Sequence, residues 1–165
     1  MTGYPYFKNS NLEEIPELLN ALGTGITNLR IVEVPTDIVK NKIPEDIYNK
    51  IILNLEKDNA RIKKEGKNRH PSIVARAYKE FYTFEIDQDD TITIRTIEFS
   101  HETNGVYFRP NEESDGTARL LNLIEILFQI SNDNIYVIDE IDRCLHPASA
   151  IAFLLIGICN IIEIA

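Results

Sequence analysis

Cysteine, basic charge and long apolar runs are all scarce in this chain. Its two cysteines, Cys144 and Cys159, stand among 165 residues. A pair without metal-ligand spacing supports neither a disulfide framework nor a zinc site, and reads as free thiols of a reducing compartment. Seventeen Lys and Arg against 26 Asp and Glu leave a net charge of −9. That balance argues against a broad basic surface for nucleic acid. The apolar tail IAFLLIGICNII, residues 151–162, is too short to cross a bilayer and is expected to be buried. The opening MTGYPYFKNS has no apolar centre, so no secretory leader is expected, and the expected location is the cytoplasm with no membrane partner. Internal repeats and low-complexity segments are missing as well. What remains, 44% hydrophobic and 26% charged residues, is the profile of a soluble globular domain of ordinary size.

One segment departs from the acidic average. EKDNARIKKEGKNRHPSIVARAYKE, residues 56–80, holds eight Lys and Arg against four Asp and Glu. It reads as a solvated loop or, alternatively, as a patch that contacts phosphate.

The hydrophobic texture changes twice along the chain, at Ile73 and at Ser114. Ser10 and Glu13 have capping-box spacing, and Leu12, Ile15, Leu18, Leu19 and Leu22 recur at helical spacing, predicting a helix over 11–22 with Pro16 near its start. GTGITNLRIVEVP then reads as a glycine turn followed by a strand at 27–34. Pro44 suits the first position of a second helix, 44–57, with acids in its first turn, and 57–70 reads as a connection. From Ile73 the pattern is β. YTFEI and TITIRTIEF flank a turn at 87–90, and the alternation of Ile92 and Ile94 with polar residues predicts a sheet with one buried face. A turn at 101–105, in which the lone His101 sits, leads to the short run VYF. From Ser114, the spacing of Leu120, Leu121, Ile124, Leu127 and Phe128 predicts a helix over 115–130. A turn at 132–134 follows, and then IYVI, a continuous apolar run of the kind found in parallel strands covered on both faces.

Two elements in ESDGTARLLNLIEILFQISNDNIYVIDEIDRCLHP, residues 113–147, carry chemistry. The first is Ser114, Asp115, Gly116 and Thr117 at the head of a helix. Backbone N–H groups and the positive end of the helix dipole make such a place attractive to anions, and glycine permits a close approach to the backbone. The same four residues also serve as a plain N-cap. The second is an apolar strand ending in Asp139 and Glu140, which places two carboxylates where ligands of open α/β sheets bind. One carboxylate suits Mg²⁺, and the other suits the attacking water of a phosphoryl transfer. Buried strands that simply end in acids are the alternative.

This order of signature, helix and Walker-B-like strand resembles the ABC-type ATPases of the SMC-, RecF- and OLD-like branch. It is closer still to prokaryotic AAA-family ATPases with an ABC-type head, a group often found in phage-defence and toxin–antitoxin-like systems. E-S-D-G-T-x-R-L stands in place of the transporter signature, and D-E-I-D-x-x-L-H-P in place of the D-loop region. The resemblance implies an α/β fold, the C-terminal part of a P-loop NTPase core (113–165), preceded by an α+β lateral or insertion region with an antiparallel sheet (1–112). It implies ATP and Mg²⁺ as cofactors and ATP hydrolysis as the activity. Asp139 would be the metal-associated carboxylate and Glu140 the catalytic base. Ser114, Gly116 and Thr117 would meet the γ-phosphate of a nucleotide held by a second subunit. Leu145, His146 and Pro147 would lie at the subunit junction. The implied partner is a head-to-tail second copy or another chain that supplies Walker A, with a nucleic acid or effector protein left open.

The chain departs from that pattern at three places. The later strand with its switch histidine, which the resemblance leads one to expect, is not found. No G-x-x-x-x-G-K-[ST] occurs in it. The nearest candidate, GTGITNLR at 23–30, has two glycines but no Lys-Ser or Lys-Thr. After Pro147 the family's charged amphipathic helix gives way to ASAIAFLLIGICNIIEIA, through which no polar face can be drawn. The expectation is an internal piece of such an ATPase, from a split or frameshifted gene or a cut chain, with a change of reading frame just after Pro147. Such a chain alone is expected to be inactive, and an interaction module without turnover is the alternative.

Overall fold

The computed structural model describes residues 14–66, 69–77, 79–87, 89–101, 105–128, 137–141 and 143–164. The elements are α1 (Glu14–Ala21), β1 (Asn28–Glu33), α2 (Thr36–Lys40), α3 (Glu45–Lys64), β2 (Ser72–Ala77), β3 (Glu80–Ile86), β4 (Ile92–Ser100), α4 (Asp115–Phe128) and α5 (Pro147–Ile164). Four strands form one sheet in the order β1-β4-β3-β2. β2, β3 and β4 are antiparallel neighbours, with Phe84 opposite Ile73 on one side and Ile94 on the other. The chain divides into two compact units, Ile31–Ile97 and the remainder.

In the first unit the hairpin between β3 and β4 is built at the turn foreseen. Asp87 Oδ1 accepts the N–H groups of Asp89 and Thr91, both at 2.9 Å, and Asp90 takes a left-handed φ of 63°. This is the local bonding that makes aspartate a turn former. The core joins Val39, Tyr48, Leu55, Phe84, Ile86 and Ile94. Tyr48 and Phe84 meet edge to face at 5.9 Å, and burial pushes the Tyr48 hydroxyl up from its ordinary pKa. Phe81, Tyr82, Thr83 and Phe84 are consecutive and all buried, so β3 is covered on both faces, where alternation had suggested one. The polar members of the strands find partners: Thr96 Oγ1 donates to the Phe81 carbonyl at 2.6 Å.

Helix α3 runs seven residues beyond the predicted 57. The stretch 57–64 is charged but still helical, because Leu55 and Ile62 repeat at one buried face seven residues apart. Arg61, Lys63 and Lys64 also sit in the last turn, where the dipole favours cations. Part of the basic segment is neutralised in place. Arg61 pairs with Asp58 at 3.0 Å, and Lys63 with Asp90.

The second unit opens with α1, which buries Ile15, Pro16 and Leu19. Its helix ends in a Schellman motif: Thr24 N–H donates to the Leu19 carbonyl at 3.2 Å and Gly23 N–H to Asn20 at 2.9 Å, with Gly23 at φ 83°. The chain then enters β1, whose start is held by Thr27 N–H on the Ser100 carbonyl at 2.8 Å. The run VYF makes a bridge, not a strand: Phe99 and Phe108 exchange two hydrogen bonds of 2.8 and 2.7 Å. Helix α4 buries Leu120, Leu121, Leu123, Ile124 and Leu127. Helix α5 packs Ala150 and Phe153 inward, yet Ile151, Leu154 and Leu155 are exposed. The tail was expected to be buried; being apolar all round, it has one face more than its described neighbours can cover. Among the described residues no helix is long and apolar enough to cross a membrane.

Candidate functional site

The head of α4 is an N-cap in the strict sense. Ser114 Oγ accepts the N–H of Thr117 at 3.0 Å and lies 3.0 Å from Thr117 Oγ1. Ser114 O takes the first helical bond, from Ala118 N–H at 3.0 Å. Serine is suited to this because its short side chain satisfies one of the donors a helix leaves unpaired at its start. Ser114 and Asp115 are exposed and Gly116 is half-buried. Thr117, expected to be open to a partner, is 6% exposed. Its hydroxyl is turned back to the cap, which is the physical reason for the difference.

Gly116 meets its own chain. A Cβ at this position would stand 2.8 Å from the Cys144 carbonyl oxygen, so glycine is required by the approach of that carbonyl. One turn further along α4, Arg119 Nη2 donates to the Asp139 carbonyl at 3.3 Å. The head of α4 and the paired acids are therefore brought together within one unit.

The strand expected before those acids is not found in its described part. Ile135 and Tyr136 lie outside the described residues. Val137 is 92% exposed, and neither it nor Ile138 is in a strand. An apolar run becomes a buried parallel strand only where neighbouring strands pair with it on both edges. The sheet's described pairings are between strands within 28–100, so 137–138 has no such neighbours among the described residues. Asp139 and Glu140 are exposed in a turn, not held at a strand's tip, and Glu140 has a φ of 48°. The Glu140 carboxylate pairs with Arg143 at 3.1 Å, both side chains being well exposed at 62% and 74%.

Leu145, His146 and Pro147 form the entry to α5. Leu145 is buried at 8% and anchors the turn. His146 Nδ1 accepts the N–H of Ala148 at 3.3 Å, and its carbonyl accepts those of Ser149 and Ala150 at 2.9 and 3.1 Å. Pro147 takes the first helical position, where its lack of an N–H costs nothing.

Two side chains matter more than the sequence suggested. His101 Nε2 lies 2.9 Å from Glu113 Oε1, a carboxylate 4% exposed, and the ring stacks edge-on to Phe108 at 5.7 Å. A lone histidine thus partners the residue that precedes the Ser114 cap. The signal was the acid at 113, read only as part of the motif. Arg119 carried a fainter one, a cation inside an otherwise apolar helical stripe.

The turn at 23–30 cannot serve as a phosphate loop. A Walker loop leads from a strand into a helix and aims N–H groups from the helix start; this one leads from a helix into a strand and is spent on a helix end. For Mg²⁺ the donor set is lean. No group of three His, Cys, Asp or Glu capable of holding a metal occurs among the described residues.

A family model for AAA domains of the AbiEii-toxin kind, from type IV toxin–antitoxin systems, matches residues 35–164. The chain belongs to this family. It is thus an AAA domain, of the ATPase type; β2, β3 and β4 and the stretch from Ser114 to α5 fall inside the matched span, while β1 precedes it. No curated protein and no solved structure matched.

Proposed function

We propose that this AAA domain contributes the signature and the acidic pair to an ATP-hydrolysing site of the ABC type, in a prokaryotic defence or toxin–antitoxin setting. The observation that supports this most is the Arg119 to Asp139 contact of 3.3 Å, which joins the two motif elements 20 residues apart. In this reading Ser114 and Gly116 face a nucleotide held by another subunit in head-to-tail pairing. Asp139 approaches the metal through water, and Glu140 orients the attacking water once it leaves Arg143. An ion pair so exposed is weak and easily exchanged. His146 and its neighbours stand at the subunit junction, and residues 1–112 form the lateral region. Bound Mg²⁺ and ATP would supply the reacting phosphate and neutralise its developing charge.

The absence of a phosphate loop in the sequence favours a second reading for the chain alone, an interaction module that pairs with a P-loop-bearing partner. Losing such charge-stabilising groups costs on the order of 3 kcal/mol or more, a factor above a hundred in rate. Calorimetry with Mg-ATP separates the readings. The chain alone should give no binding heat, and binding should appear with a P-loop-bearing chain of the same family. Glu140→Gln should lengthen the life of that complex, and Asp139→Asn should weaken it. Binding by the chain alone that survives Asp139→Asn would exclude the ATP reading of this pair.

A further inference from the structure

We infer that Arg119 is a positioning residue, a clamp that holds the acidic segment 139–144 against the signature helix so that the two move as one body. The consequence for catalysis rests on the function proposed above; the clamp itself does not.

Three features of α4 and the segment carry this. Arg119 and Gly116 are three residues apart on the helix and share a face. One takes the Asp139 carbonyl at 3.3 Å and the other gives room to the Cys144 carbonyl, so the segment is gripped at both ends. Between them Glu140 and Cys144 hold φ values of 48° and 65°. Residues with side chains adopt that region at a cost and stay there only when their surroundings impose it. Among the described residues of this stretch, 139–141 and 143–144, the restraints are local and exposed, the Arg143 N–H to Glu140 carbonyl bond of 3.0 Å and the Glu140–Arg143 pair. Finally, Arg119 Nε is buried without a hydrogen-bond partner among the described residues. A free surface arginine would hydrate that atom. Its enclosure means that packing fixes the side chain and leaves the outer nitrogens to make the bond.

The clamp explains why a cation sits one turn past the cap on a helix that otherwise buries leucines. It also means that a shift at the head of α4 reaches Asp139 and Glu140 through contacts already in place.

Trypsin cleavage of the Arg143–Cys144 bond in the full chain, without nucleotide, reads the clamp directly. Cleavage there requires the segment to open. Arg119→Gln keeps a polar side chain but loses the charged donor, and should speed cleavage at this bond roughly fivefold, the worth of about one hydrogen bond. Arg119→Lys should restore slow cleavage, and cleavage after Lys64 in the other unit should be unchanged in both. Gly116→Ala, with Arg119 intact, should also speed cleavage at Arg143. The inference is overturned if Arg119→Gln leaves the Arg143 bond as resistant as before. It is equally overturned if Lys fails to rescue, or if both variants loosen the Lys64 site too, which would mark a general structural role. Failure of the ATP experiment would leave these rates as they are.

Discussion

The unit at Ile31–Ile97 and the unit holding the candidate site use left-handed residues for different ends. In the first, Lys79 and Asp90, at φ 55° and 63°, lie at the turns beside β2, β3 and β4, and Asp90 is held by Lys63 and Asn59 from α3. In the second, Glu140 and Cys144 take the same conformation within one exposed segment. The first pattern completes a scaffold, and the second places two carboxylates. Both units fully enclose large apolar side chains, Phe84 and Leu55 in the first and Phe99 and Leu19 in the second, but the most exposed large apolar residue among those described, Val137 at 92%, stands beside the two acids. The difference lies in what restrains the left-handed residues: Asp90 is held by side chains of α3, whereas Glu140 pairs with Arg143 in its own exposed stretch.

The largest effect expected is in the scaffold. Phe84→Ala removes a ring with no exposure at the centre of the sheet and should cost about 3–5 kcal/mol. Urea titration should show it, and hydrogen exchange should localise the loss to 31–97. If exchange rose equally over 137–164, the contrast between the units would fail.

Next comes His101→Ala. Glu113 is 4% exposed and bonded to His101 at 2.9 Å, so the substitution leaves a buried carboxylate short of one partner. A loss of about 1–3 kcal/mol follows, and α4, which begins two residues later, should exchange faster at its first turn. Ser114→Ala should cost less, about 1 kcal/mol, as for other N-caps. Ser114→Asp should recover most of it, because aspartate caps as well and suits the positive helix end. Thermal melts of the three chains would rank these effects. A Ser114→Ala chain as stable as its parent would mean that the Thr117 N–H finds another acceptor.

Legibility in the sequence follows the same divide. The hairpin was readable because its turn chemistry is local: Asp87 bonds to Asp89 and Thr91 without help from elsewhere. The α4 helix was readable because its leucines repeat every three or four positions. The end of α3 was misread since charge was taken for a break, although Ile62 kept the buried face going. IYVI was read as a covered strand from its residue types, but cover comes from other segments, and Val137 has none of it. At the site, Ser114 as a cap was visible. That Gly116 serves its own chain was not, because the Cys144 carbonyl comes from 28 residues away and leaves no trace in the local pattern. The family match over 35–164 reaches well upstream of the 113–147 stretch that carried the resemblance.

The smallest effect tests the scaffold's turn. Lys63 and Asn59 donate hydrogen bonds to Asp90 at its hairpin, and these hold its carboxyl below the usual aspartate range. The folded state therefore prefers the ionised form. Its contribution is present above the unfolded value of about 3.9 and disappears as pH falls through the lower folded value. Both side chains are more than half exposed, so salt should screen most of it. Asp90→Asn should thus lower the melting temperature slightly at neutral pH in dilute buffer. The two chains should converge in strong acid, and the gap should narrow in high salt at neutral pH. A gap that persisted in acid would trace to the left-handed φ of 63° instead of the charge. Asparagine tolerates that region as readily as aspartate, so convergence is the expected result.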